Sequence, residues 1–345
     1  MVDTTLEFEA HRARLFGIAY RMLGSASEAE DLVQEAYLRW ERADRDAVAA
    51  PGAWLAKVVT NLSLNELASA RVRREQYVGQ WLPEPVLTTA DGTVHGVAGT
   101  GGTGARAARQ PLGPLETVEQ RDSVSFALLL LLERLTPPER AVFVLREAFG
   151  YPHRDIAELL ETSEANSRQL HRRARQAIGR DASAAHTGAT DTPATPATPA
   201  TPATKGAGGG TGGGAPVRQR WTGLVETFVA AAREGDLRQL ERLLTEDVVS
   251  YADGGGRINT ARRPILGRAK VARYLAGGLA RFAAATVLVP CEVNGGPALL
   301  ALADGGLLGV VTLEVAEGRI AALRICVSPD KIAYAARQFA ASAPS

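Results

Sequence analysis

The spacing of apolar residues divides the chain into a helical half and a mixed half. Leu32, Val33, Ala36, Tyr37 and Trp40 recur at helical spacing and form one stripe. Ser27 as N-cap and Glu30 three residues on make a capping box for this helix. It runs to about Arg42 and leaves Asp31, Gln34, Glu35 and Leu38 as a contiguous exposed patch. The next helix opens at Pro51, buries Trp54, Leu55, Val58 and Leu62, and runs into a basic end with Arg71, Arg73 and Arg74. Residues 150–178 predict two short helices joined by a tight turn: the first opens at Pro152 and buries Ile156 and Leu160, and Ser163 caps the second. On that second helix Leu170, Ala174, Ala177 and Ile178 share one face. Arg168, Arg172 and Arg175 lie opposite, and Asn166 falls near the packing side.

Beyond residue 217 the pattern changes. Helical periodicity at 218–233, 236–245 and 268–281 accompanies strand-like runs at 247–252, 285–293, 298–303, 306–316 and 319–327. Runs such as LLGVVTLEVA alternate apolar and β-branched positions, which predicts a curved antiparallel sheet packed on helices, an α+β domain with room for an interior cavity. Periodicity fails in two places. Residues 87–114 combine Gly, Thr and Pro and read as a flexible linker. Residues 183–216 hold TPATPATPATPAT and GAGGGTGGG, a low-complexity linker that buries almost nothing. The predicted modules are therefore 1–86, 115–182 and 217–345.

Composition narrows this picture. At 345 residues the chain suits two or three domains. Its 39 Lys and Arg nearly match its 38 Asp and Glu, so charge is segregated between surfaces, as expected if one face meets DNA and another meets protein. Cys291 and Cys326 lie in apolar runs and read as buried thiols of a reducing compartment, with a disulfide between them left open. The longest purely apolar run, Phe126 to Leu132, is too short to cross a bilayer, and the N-terminus lacks an apolar signal core. No metal-ligand spacing occurs, so neither metal nor cofactor is expected. A cytoplasmic protein without a membrane partner is.

The chemistry concentrates in the second helix of 150–178, which carries five basic side chains and no acid between Glu164 and Ile178. That is a helix-turn-helix with an Arg face suited to phosphates and guanine edges. Arg168 and Arg172 sit in the half that enters the major groove, flanked by Gln169, His171 and Arg175. A dimeric regulator would use such a device too, but would leave the Asp31, Gln34, Glu35 and Leu38 patch without a role. An enzyme remains a third reading: Asp253, Glu292 and Asp304 are conceivable bases in the last module, which contains no His at all. The expectation is that no residue is catalytic.

Three strings place the first two modules more closely. HRARLFGIAYRMLGSASEAEDLVQEAYLRW, PGAWLAKVVTNLSLNELASARVRR and LTPPERAVFVLREAFGYPHRDIAELLETSEANSRQLHRRAR follow one another in order. They resemble regions two and four of the extracytoplasmic-function sigma factors, which direct bacterial RNA polymerase to promoters. The resemblance covers about residues 6–86 and 115–180. It implies two all-α sigma domains, with DLVQE docking on the clamp helices of the polymerase's largest subunit. Lys57 and Asn61 would then contact the −10 element, and Arg71, Arg73 and Arg74 the duplex phosphates upstream. The helix-turn-helix would read the −35 element.

The third module resembles the SnoaL-like cone-shaped fold that sigma factors of the SigJ type carry after region four. The residues are Trp81, Leu82, Pro83, Glu84 and Pro85 (WLPEP), Asp253, Gly254, Gly255, Gly256 and Arg257 (DGGGR), and Pro329, Asp330 and Lys331 within SPDKI. The family more often has DGGGK and NPDKL. WLPEP offers an aromatic anchor beside region two, and DGGGR and SPDKI offer loops with backbone access and opposite charges, so the third module is expected to fold back on WLPEP and modulate activity in place of a separate anti-sigma protein. The resemblance also implies a cavity able to hold a small-molecule ligand.

Overall fold

The computed structural model describes residues 4–75, 77–88, 125–184, 214–282 and 286–342. Both predicted linkers lie almost wholly outside them. The chain forms two units, one of Met1–Gln76 with Leu112–Thr192 and one of Tyr77–Pro111 with Pro193–Ser345. Residues 77–88 therefore belong with the C-terminal module, not with the helices they follow, and the first module ends before the boundary expected at 86.

The first unit is all helical. It contains α1 (Thr4–Leu23), α2 (Ala26–Arg42), a 3-10 turn (Arg45–Ala47), α3 (Pro51–Glu75), α4 (Phe126–Leu132), α5 (Pro137–Phe143), a π turn (Val144–Ala148), α6 (His153–Leu159) and α7 (Glu164–Ala184). The cap of α2 is Ser25, whose Oγ accepts from Glu28 N, and not Ser27 as expected. Gly24 (φ 67) ends α1 and leaves Ser25 extended, so α2 starts two residues early and Ala26 and Ala29 join its buried face. On α3 the fully buried positions are Leu55, Ala56, Val59, Thr60 and Ser63 instead of the expected Trp54, Val58 and Leu62, which are half-buried. The stripe is displaced because α3 packs on α1 and α2 on one side and on α5 and α6 on the other.

Regions two and four share this unit through buried cations. The Arg140 guanidinium, 2% exposed, donates to Leu132 O (2.7 Å), Met22 O (2.6 Å) and Glu133 Oε1 (2.9 Å). Arg74 donates to the other Glu133 oxygen and to Leu23 O. Two guanidinium groups from distant parts of the chain thus cap the C-terminal carbonyls of α1, where a helix end favours positive charge.

The second unit contains α8 (Gly214–Glu234), α9 (Leu237–Leu243), β1 (Leu244–Asp253), β2 (Ile265–Leu266), α10 (Arg268–Phe282), β3 (Val287–Val293), β4 (Gly296–Ala303), β5 (Gly306–Ala316), β6 (Arg319–Cys326) and α11 (Pro329–Ser342). The six strands lie in the order β2-β1-β6-β5-β4-β3. From β3 to β6 they form an antiparallel meander, and β1 runs parallel to β6. Each hairpin turns on two left-handed residues: Asn294-Gly295, Asp304-Gly305 and Glu317-Gly318. That matches the right-handed strand twist.

Helices α8, α9 and α10 cover one sheet face, and Val225, Phe228, Val271, Leu275, Leu299, Leu313 and Leu323 fill the space between. Cys291 and Cys326 are buried free thiols, which closes the disulfide question. The SPDKI string, expected as a loop, instead opens α11 with Pro329 at its first position. The expected helix 236–245 ends at Leu243, where β1 takes over.

Candidate nucleic-acid interface

The helix-turn-helix is built on α6 and α7. Ser163 Oγ accepts from Asn166 N and caps α7, and the turn passes through Glu161 in the left-handed region (φ 51). Ser167 and Ala174 are fully buried, with Leu170, Ala177 and Ile178 packed around them. Arg168, Gln169, Arg172 and Arg175 are exposed on the opposite side, and Arg168 is steadied by Glu164 one turn back.

His171 does not join that face. Its side chain is 14% exposed, and its Nε2 lies 2.7 Å from Glu147 Oε1. The residue sits between the Arg face and the packing face, and the Glu147 carboxylate draws it inward. Asn166 also departs from expectation: it is exposed, with Nδ2 donating to Thr162 Oγ1 at 2.8 Å. His153 lies behind the helix, its Nδ1 3.0 Å from Ser167 Oγ. Burial holds its pKa below the ordinary imidazole value, and the nearby His171, Arg146 and Arg168 push the same way.

On α2, Asp31, Gln34 and Leu38 are exposed and Glu35 is half-buried, tied to Arg39 at 2.8 Å. Their spacing of three and four residues puts them on one stripe. On α3, Lys57 Nζ lies 3.0 Å from Glu161 Oε1, and Asn61 is half-buried one turn further on. The side chains of Arg71 and Arg73 lie outside the described residues. Arg74 is not the open phosphate ligand expected; it is committed to Glu133 and the end of α1. The sequence pattern missed this because Glu133 is 59 residues away.

In the second unit the WLPEP, DGGGR and SPDKI strings meet around one carboxylate. Asp253, 1% exposed at the end of β1, accepts from Tyr77 OH (2.6 Å), Leu82 N (2.8 Å), Gly255 N (3.0 Å) and Lys331 Nζ (2.7 Å). Lys331 Nζ also donates to Leu82 O (2.5 Å) and stands over the rings of Tyr77 (4.5 Å) and Trp81 (4.4 Å). Burial, reinforced by Asp253, pushes the Tyr77 phenol far above its ordinary pKa, so it stays a donor. Arg257 pairs with Asp330 at 3.0 Å.

Leu82, Pro83, Glu84 and Pro85 are all buried, and the strap then joins the edge of the sheet. Asn294 N donates to Val86 O, Thr88 N donates to Glu292 O, and Leu87 bridges Val293 in antiparallel fashion. These contacts occupy two of the three carboxylates considered as bases. Asp253 is saturated with donors, Glu292 accepts from Thr88 Oγ1 (3.1 Å), and Asp304 sits in a hairpin turn. The sequence pattern did not reveal Tyr77, Asn294 or Gln338 as strap contacts, since all three need the fold to bring them there.

A helix-turn-helix with an exposed Arg face belongs to the class of proteins that bind DNA. Residues 8–73 match the family model for sigma-70 region 2, and residues 125–178 match that for sigma-70 region 4. The chain is 35% identical over 334 residues to the ECF RNA polymerase sigma factor SigJ of Mycobacterium tuberculosis (strain ATCC 25618 / H37Rv), covering 94% of this chain and 92% of that protein. SigI of the same strain is 30% identical over 327 residues, covering 94% and 93%. The crystal structure of SigJ superposes with a TM-score of 0.64 at 32% identity, covering 96% of this chain and 98% of that one. The chain therefore belongs to the ECF RNA polymerase sigma factors, and its C-terminal domain is of the α+β type. Among the described residues no helix is long and apolar enough to cross a membrane.

Two outcomes follow from this geometry. The unfolded chain takes up a proton on His153 near pH 6.5, and the native imidazole resists it. Stability should therefore fall as pH drops from about 7.5 to about 5.5. Thermal unfolding at both pH values should show a steeper loss for the native chain than for His153→Asn, and equal slopes would refute the assignment. Replacing Asp253 with Ala leaves the Lys331 ammonium buried without its counterion. Urea unfolding should register a loss of about 3–5 kcal/mol, whereas a loss under about 1 kcal/mol would show that the carboxylate is dispensable.

Proposed function

We infer that this sigma factor binds core RNA polymerase and directs promoter recognition. We propose that Arg168, Gln169, Arg172 and Arg175 on α7 read the −35 element. Asn166, exposed at the start of that helix, joins them. In this reading Lys57 and Asn61 contact the −10 element and Arg71 and Arg73 the duplex phosphates upstream, while Asp31, Gln34, Glu35 and Leu38 dock on the clamp helices of the largest polymerase subunit. The observation that carries it is the exposed Arg face of α7 in the same unit as the acidic stripe of α2. Charge complementarity of this kind favours a basic partner surface for one and phosphate for the other.

We further propose that the C-terminal domain modulates output through the strap, which follows α3 directly in the chain. The buried Asp253–Lys331 pair supports this, because it ties the strap to the domain by more than loose tethering. A small-molecule ligand has less support. Apolar side chains fill the helix-facing side of the sheet, and a hollow of about 540 Å3 lined by Arg262, Arg263, Pro264, Ile265, Leu266 and Lys270 lies open on the surface.

In a run-off transcription assay with core polymerase, the purified chain should start transcripts at a defined promoter. Binding to a palindromic site without initiation would favour a conventional regulator instead. Arg168→Ala and Arg172→Ala should each weaken binding to a promoter fragment by about 1–3 kcal/mol and relax preference within the −35 element. Undiminished discrimination against scrambled −35 sequence would remove that face from recognition. Trp81→Ala and Lys331→Met should alter transcript yield in the same direction, and the double variant should add little to either. Additive effects would separate the strap contact from control of output.

A further inference from the structure

Two carboxylates of region four rest on cations of region two at the two ends of α3. Near its start Glu161 holds Lys57 at 3.0 Å, and near its end Glu133 holds Arg74. The two cations are seventeen residues apart, or about 25 Å along a helix rising 1.5 Å per residue. The contacts therefore span the promoter-facing helix instead of touching it once. We propose that Glu161 acts as an intramolecular stand-in for a promoter phosphate at Lys57 and competes with DNA for that cation, while the buried Glu133 contact keeps the other end of α3 fixed. The inference rests on the reading of α3 as a DNA-contacting helix.

Three features support it. The Lys57 contact matches a carboxylate to a cation of the type that phosphate would otherwise neutralise. Glu161 adopts φ 51, a conformation that favours Gly or Asn, yet the chain keeps an acid there and points it at Lys57. The two contacts also differ in strength by construction. The Lys57–Glu161 pair is solvent-exposed, with side chains 38% and 76% accessible, so competing ions and phosphates reach it. The Arg74–Glu133–Arg140 group is largely buried and caps the end of α1, so it acts as the pivot. Release would begin at Glu161 and leave the Arg140 cap in place.

The test uses the full chain and a fluorescently labelled duplex carrying both promoter elements, with anisotropy as the readout. Because Glu161 is exposed, Glu161→Gln keeps the fold. It should tighten binding about two- to five-fold, the range open to an exposed pair. Glu158→Gln, an equally exposed change of the same charge on α6, serves as the control. The gain should exceed the control's and should vanish in the Lys57→Gln background. Equal gains from Glu161→Gln and Glu158→Gln would reduce the effect to net charge and overturn the proposal. If Lys57→Gln weakens binding but Glu161→Gln does not tighten it, the DNA reading of Lys57 stands and the stand-in fails. If Lys57→Gln leaves binding unchanged, the DNA reading falls and the proposal goes with it.

Discussion

The C-terminal unit depends on the burial of one charge, the Asp253 carboxylate. A carboxylate removed from water is tolerated only when donors replace its hydration, and four converge here from the strap, the turn that follows β1 and the start of α11. The same constraint dictates the small residues beside it. A Cβ on Gly254 would lie 2.1 Å from Ile258 O, and one on Gly255 would lie 2.4 Å from Ser328 Oγ. Larger side chains would force the turn away and remove the Gly255 N–H from the carboxylate. The DGGG string is thus a steric and electrostatic consequence of placing an acid at the end of a buried strand. It is not a flexible loop.

The first unit solves a related problem with the signs reversed. There the buried charges are guanidinium groups, and Glu133 lies between two of them while helix-end carbonyls take the remaining donors. Arg suits both sites because its planar fork presents several N–H donors in fixed directions, so one guanidinium serves a carboxylate and a helix-end carbonyl together. Surface pairs such as Lys57–Glu161 and Arg257–Asp330 lack that enclosure, so their worth depends on ionic strength and on competing partners.

Much of the architecture was legible in sequence because local rules set it. Apolar, β-branched runs such as LLGVVTLEVA marked the strands, Pro51 marked α3, and Ser163 marked the recognition helix. The candidate site was legible only where one helix face decides the matter, as for Arg168 and Arg172. What failed did so for reasons of distance. His171 and Arg74 look like free cations until Glu147 and Glu133 arrive from elsewhere in the chain. The cap of α2 moved from Ser27 to Ser25 because Gly24 ends α1 sooner than a hydrophobic stripe can indicate. The strap was placed in the wrong module because its partners lie 171 to 251 residues downstream.

That separation has a consequence during synthesis. A ribosome adding roughly 5–20 residues per second emits the strap some ten to fifty seconds before Gln338 appears. For the first 171 residues of that stretch the helices of region two are complete, while the strap has neither Asp253 nor the β3 edge to join. The nascent chain therefore passes through a stage at which the helices of region two exist and the C-terminal domain does not. The order of manufacture, and not only the final fold, decides when the strap first acquires its partners.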